Sequence, residues 1–202
     1  MKVNIPISVT FFIVILFFTT TGFAQRDWTS RKKQDGIEVF VKSQENAVLK
    51  TYRAVASTTA SIDDCVNFLL DLENHVNWSY TVEEASIIPS KTDDVLCYML
   101  MDAPWPVLDR DIIIKASKNK HSANKAEVSL VAIEGVKKEV EDVVRITEST
   151  TKWKFTRKEG VTHIVYEGVT DPGGKVPDWV INAGLVDGPF ETIKNFIHEV
   201  EN

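Results

Sequence analysis

Ala103-Pro104-Trp105-Pro106-Val107-Leu108-Asp109-Arg110-Asp111, followed about sixty residues later by Asp171-Pro172-Gly173-Gly174-Lys175-Val176-Pro177-Asp178-Trp179, is the pair of segments whose reading decides the fold. The first sets two prolines and an indole before adjacent opposite charges and the strand-like Ile112-Ile113-Ile114. Proline donates nothing to a ladder, so Pro104 and Pro106 belong at the start or edge of a strand. In the second, Pro172 fixes one φ angle while Gly173 and Gly174 are free to take positive φ, which describes a tight turn. Pro177 suits a first helical residue, and Asp178 is favourable at the positive end of the helix that follows.

Outward from these segments, alternation of apolar and polar residues predicts strands over 38–42, 47–57, 82–88, 95–101, 110–116, 127–134, 143–148, 152–157 and 162–171. Trp28 and the polar residues after it read as a short helix or an extended approach to the Asp35-Gly36 turn. Ser61 caps a helix that Asp63 and Asp64 load and that ends near Asn74, with Cys65, Phe68, Leu69 and Leu72 on one face. A last helix runs from 177 to about 200, with Phe190, Ile193, Phe196, Ile197 and Val200 along one side. Gly184 and Gly188-Pro189 predict a kink or break in it. Antiparallel strands closed by one long amphipathic helix make a two-layer α+β domain.

The chain has 202 residues, 44% of them apolar, which suits a single domain with a substantial core. Residues 1–24 stand apart. Lys2 precedes an apolar run from Phe11 to Phe18, and Gly22-Phe23-Ala24 supplies the small residues a signal peptidase reads. That pattern predicts a cleaved secretory signal, with 25–202 as the exported domain; an uncleaved anchor is the rival reading. The formal net charge is −6, and losing Lys2 with the leader makes the remainder more negative still. Such a surface argues against a nucleic-acid partner and gives no general attraction to anionic lipid. Lys118, Lys120 and Lys125 around His121 read as a solvated hairpin loop.

Taken together and in register, these segments resemble the START (StAR-related lipid transfer) domain family. The resemblance rests on Pro104-Trp105-Pro106 leading to Arg110-Asp111, and on Asp171-Pro172-Gly173-Gly174 leading to Pro177 and Trp179. It is supported by Asp35-Gly36-Ile37, Lys50-Thr51-Tyr52-Arg53-Ala54 and Asp71-Leu72-Glu73-Asn74 before Trp78, and spans about 28–200. What it implies is the helix-grip fold, in which a curved antiparallel β-sheet wraps around the C-terminal helix and leaves an internal tunnel. It further implies a lipid or other hydrophobic small molecule as partner, transient membrane contact and a monomer. In sterol-carrying members an acidic and a basic side chain stand in the tunnel. The corresponding places here look like Cys97 and Ala116, so a less polar guest, or a lipid with its head toward solvent, is expected.

An apolar guest needs wide aliphatic and aromatic walls with a few polar groups to orient it. Alternation places Arg110, Ile112 and Ile114 on one face of their strand, Val128 and Leu130 on one face of the next, and Met99 and Met101 together with Cys97. Trp78, Tyr80 and Tyr166 add aromatic wall, and Trp179, Ala183, Val186 and Phe190 are expected to close the space from the helix. Arg110 and Asp111 point to opposite faces. Arg110 is expected to meet a carboxylate such as Asp71 or Glu73, or else a ligand headgroup.

Little in the sequence could do covalent chemistry. There is no nucleophile elbow, phosphate loop or paired-histidine motif, and His75, His121, His163 and His198 are scattered, so no metal or cofactor is expected. Cys65 and Cys97 follow no metal or redox spacing; two buried thiols are favoured over the disulfide that export would permit. The function expected is an exported, non-enzymatic lipid carrier. The alternative is a cavity enzyme of the helix-grip superfamily, cyclase- or hydrolase-like, using Glu167, His163 or Tyr166.

Overall fold

The computed structural model describes residues 28–42, 51–90, 92, 94–122 and 124–202. Residues 1–24, residues 47–50 of the expected second strand, and the side chains of Lys120 and His121 lie outside the described residues. Ten strands form one curved sheet: β1 (Thr29–Gln34), β2 (Ile37–Lys42), β3 (Thr51–Thr58), β4 (Val82–Ile88), β5 (Val95–Met101), β6 (Arg110–Ser122), β7 (Lys125–Ala132), β8 (Val144–Ile146), β9 (Ser149–Lys158) and β10 (Val161–Thr170). Their order is β1-β2-β3-β10-β9-β7-β6-β5-β4, with antiparallel neighbours along that path. Helix α1 (Ile62–Leu70) and a 3-10 turn, Glu73–Asn77, connect β3 to β4, and α2 (Asp178–Glu201) lies against the inner face. This is the helix-grip arrangement.

Local chemistry accounts for most elements. The Ser61 hydroxyl accepts from the Asp64 amide at 3.1 Å and donates to the Asp64 carboxylate at 2.6 Å, capping α1. That helix ends at Leu70, short of Asn74, and Leu72 to Trp78 continue as the tighter turn. The polar run Thr29–Gln34 is a strand, not a helix, because Asp35 and Gly36 both take positive φ and close a two-residue hairpin onto β2. Of the expected strand 143–148, only Val144–Ile146 pairs, and in parallel with β6. β7 pairs β6 from Ile114 outward, so β8 fills the place beside Arg110 to Ile112 that β7 has left.

Of the kink or break expected in α2, the break does not occur, and the helix runs through Pro189. An interior proline removes one backbone bond and costs about 3 kcal/mol. Burial of Phe190, Ile193 and Phe196 in the main core offsets this, at roughly 1.5–3 kcal/mol for each large apolar side chain. At the C-terminus the Glu201 carboxylate accepts from the Thr59 amide at 2.9 Å and the Thr58 hydroxyl at 2.7 Å, fastening α2 to the end of β3.

Arg110 and Asp111 do point to opposite faces. Asp111 turns outward beneath residues 133–143, where Arg145 grips it bidentately at 2.6 and 2.8 Å and also donates to the carbonyls of Lys137 and Lys138. The carboxylate side chain is only 1% exposed. Removing one partner from a buried pair leaves the other charge stranded, at about 3–5 kcal/mol. Arg145→Met should therefore lower unfolding free energy in urea by about that amount. Adding Asp111→Leu to Arg145→Met should recover much of the loss. Equal stability of wild type and single variant would show that the pair does not hold the 133–143 segment.

Candidate functional site

Between the inner face of the sheet and the N-terminal half of α2 lies a cavity of about 700 Å³. Its size is ordinary for a small-molecule site. One wall comes from β5 and β6, where Met99, Met101, Ile112 and Ile114 project inward beside Arg110. Leu130 of β7 and Thr151 and Trp153 of β9 continue it, and Tyr166 of β10 and Tyr52 of β3 complete the far end. Trp78 and His75 of the 3-10 turn, with Tyr80 just after it, form a second side. The helix contributes Ile181, Ala183, Gly184, Leu185, Gly188 and Thr192. The exposed Asp102, Pro104, Asp178 and Asn182 mark where the space reaches the surface.

The two halves of α2 meet the interior differently. The C-terminal half of α2 fills its share of the interior with Phe190, Ile193 and Phe196. Along the cavity the N-terminal half sets Ile181 and Leu185 among the small residues Ala183, Gly184 and Gly188. A Cβ placed on Gly184 would touch nothing within 4 Å. Segment 78–80 is tied to the helix by Asn195, which donates to the Trp78 carbonyl at 3.0 Å, and by the Tyr80 amide, which donates to Thr192 at 3.3 Å.

Ten of the residues expected at the site are brought together here: Trp78, Tyr80, Met99, Met101, Arg110, Ile112, Ile114, Leu130, Tyr166 and Ala183. Four are not. Val128 packs across from Trp153 in the main core, because that end of the sheet is filled by Trp153, Phe155 and Phe196. Trp179, Val186 and Phe190, spaced by seven and four, share a helix face turned away from Ile181, Leu185 and Thr192. Phe190 is buried in the main core, with the Lys32 ammonium 4.0 Å from its ring centre. Trp179 is 54% exposed. The expected face extended the C-terminal apolar stripe backward, whereas the cavity meets the opposite side.

Arg110 lines the cavity without either of the carboxylates expected for it. It meets neither Asp71 nor Glu73; its guanidinium donates to the backbone carbonyls of Leu108, Pro172 and Gly173. The two opening segments are thereby joined by one side chain. Burial lowers its pKa. Cys97 and Ala116 are buried apolar wall behind the cavity lining, and Cys65 and Cys97 are both free thiols. Burial pushes their pKa values up to about 12 and about 11.

Sequence reasoning passed over Tyr52 and His75. Tyr52 alternates with Ala54 and Ala56 on the inward face of β3, which is a legible signal. Its hydroxyl donates to that of Tyr166 at 2.7 Å, and burial raises both phenol pKa values, that of Tyr166 to about 12. Tyr52 lies directly over Gly168, where an added Cβ would come within 2.3 Å of its oxygen. Glu167 points outward to Arg53 and Lys154, and His163 bonds Ser57 at 3.0 Å away from the cavity. Among the described residues, no three His, Cys, Asp or Glu side chains gather as a metal site requires.

His75 is 3% exposed, and its Nε2 donates to the Leu69 carbonyl at 2.9 Å. Burial holds its pKa below the ordinary imidazole value of ~6.5, against the opposing pull of that carbonyl. As pH falls the unfolded chain takes the proton first, so stability is full above about pH 6.5 and is lost as pH falls through the folded-state value. The thermal midpoint, followed from about pH 8 to about pH 5, should drop, and His75→Gln should flatten the drop. An unchanged profile in that variant would remove His75 from the account.

The model of the START domain family matches residues 17–201 of the chain. An uncharacterized protein of Pseudomonas aeruginosa is 29% identical over 169 residues, which cover 83% of this chain and 84% of that protein. A STAR-related lipid transfer protein from Xanthomonas axonopodis superposes with a TM-score of 0.79 at 25% identity, covering 87% of this chain and 99% of that one. Human STARD10 superposes with a TM-score of 0.74 at 21% identity, covering 86% and 73%. An aromatase/cyclase from Streptomyces shares the fold more distantly, with a TM-score of 0.57 at 10% identity, covering 76% and 94%.

Proposed function

Given that the chain belongs to the START domain family, we propose that it is an exported lipid-binding and lipid-transfer protein, holding a hydrophobic guest non-covalently in the cavity beneath α2. The observation that carries this reading is the cavity itself, walled by Met99, Met101, Ile112, Ile114 and Leu185. Each Å² of apolar guest surface removed from water contributes about 25 cal/mol. Methionine tolerates guests of varied shape. Export rests on the leader pattern at 1–24.

Transfer requires contact with a membrane. Trp105 is 90% exposed and Leu108 52%, both on the loop whose Pro104 and Val107 edge the cavity mouth, and Trp179 stands at the start of α2. Exposed aromatics beside an opening suit the interfacial region of a bilayer, where indole is favoured. The acidic surface leaves this contact apolar and transient. The protein acts as a monomer in this reading. Of the three residues named for the enzyme alternative, Glu167 and His163 lie off the cavity and Tyr166 lines it.

Native mass spectrometry of the protein purified from its own host should show a co-purifying lipid. A guest-free protein that takes up no lipid from vesicles would contradict the carrier reading. In vesicle-to-vesicle transfer, Trp105→Ala with Trp179→Ala should slow exchange several-fold while leaving equilibrium affinity for the guest unchanged. Exchange at the wild-type rate would exclude these residues as the membrane contact. Gly188→Ala raises local helix propensity by about 1 kcal/mol without a clash, since its Cβ would sit 3.6 Å from Tyr80. It should slow exchange if α2 flexes there to release the guest, and an unchanged rate would show that it does not.

A further inference from the structure

The cavity contains a polar station whose composition indicates what kind of guest it takes. Arg110 is the only lysine or arginine among its described lining residues, and three of its five N–H groups are held by backbone carbonyls of the mouth segments. His75 is held neutral by burial. The lining carboxylates, Asp102 and Asp178, are both exposed at the mouth. The Arg110 cation is therefore confined to the mouth, and a guest carrying a charge past it into the depth would find no counter-charge, where burying an unpaired ion is strongly unfavourable.

What the depth offers is an unspent hydrogen-bond donor. Tyr52 gives its proton to the Tyr166 oxygen, so the proton of Tyr166 remains available. Receiving one hydrogen bond makes a hydroxyl a better donor. The Tyr166 ring is fixed by stacking on Trp153 at 4.2 Å between centroids and by the edge of Tyr52 at 5.2 Å. It lies four residues, about 13 Å, farther along β10 than Thr170 near the mouth. A second donor without a partner among the described residues, the buried indole nitrogen of Trp78, belongs to the same cavity wall. Gly168 keeps the arrangement possible, since any side chain there would displace the Tyr52 ring.

We propose that the cavity selects a neutral lipid by one oxygen acceptor, an ester, ketone or alcohol oxygen, bound to the Tyr166 hydroxyl that Tyr52 orients. The hydrocarbon part lies toward Met99, Met101 and Ile112. This rests on the carrier reading and narrows it: a fatty acid carboxylate or a phospholipid headgroup placed in the depth beside Tyr166 is disfavoured.

The test displaces bound Nile red from the full domain with methyl oleate, oleyl alcohol, oleate and octadecene. Wild type should bind the ester and the alcohol about tenfold more tightly than octadecene or oleate, the discrimination of one good hydrogen bond. Tyr166→Phe should erase that margin while leaving octadecene affinity unchanged, and Tyr52→Phe should reduce it in part. Equal binding of ester and octadecene by wild type would overturn the subsite while the carrier reading stands. Failure of every probe to bind wild type would overturn both. A readout that needs no variant is the carbonyl infrared band of methyl oleate labelled with carbon-13 at the carbonyl. In the wild-type complex it should lie at the hydrogen-bonded position, and a free-ester band would refute the assignment.

Discussion

The guanidinium of Arg110 is the constraint on which the rest of this structure depends. It stands at the first position of β6 and donates to carbonyls on both sides, Leu108 before it and Pro172 and Gly173 across the cavity mouth. Those last two carbonyls face it because Gly173 and Gly174 adopt positive φ and the Asp171 side chain accepts from the Gly173 amide at 2.9 Å. The turn so fixed aims the chain into Pro177 and the start of α2. One side chain therefore sets the distance between the β5–β6 wall and the helix that faces it. Charge-assisted bonds to backbone oxygens suit that purpose, because they satisfy a buried cation without drawing in a carboxylate.

From that fixed start, the helix divides into two unlike halves. Toward its C-terminus the interior is filled as protein interiors ordinarily are, with Phe196 set among Phe68, Trp78, Trp153 and Phe155. Such density is the rule, and unfilled space costs stability. Toward its N-terminus the same helix lines the cavity with Ile181 and Leu185 among alanine and glycine, and the space remains. A molecule that tolerates this cost while packing tightly a few residues away retains the void for a reason, and occupancy by a guest supplies one.

The fold was legible because its signals were local and consistent. Period-two burial in β2 and β3, the Ser61 cap and the Pro-Gly-Gly turn each announced an element on its own. β1 was obscured because its six residues, Thr29–Gln34, are polar edge positions with no burial pattern, although Asp35-Gly36 is a strong hairpin signal. β8 could not be read because its parallel pairing depends on where β7 happens to end. Of the site, strand residues were legible through alternation. Helix residues were not, since Trp179, Val186 and Phe190 fit an amphipathic stripe as well as Ile181, Leu185 and Thr192 do. The Asp111–Arg145 pair was hidden too, joining residues brought together only when segment 133–143 folds over the outer face.

The most direct test of the account is anomalous diffraction from crystals grown with a long-chain ester brominated near its hydrocarbon end. The account predicts bromine peaks inside the cavity, between Met99 and Ile112 on one side and Leu185 on the other. Bromine confined to the outer surface, with protein side chains collapsed into the space beneath α2, would contradict it.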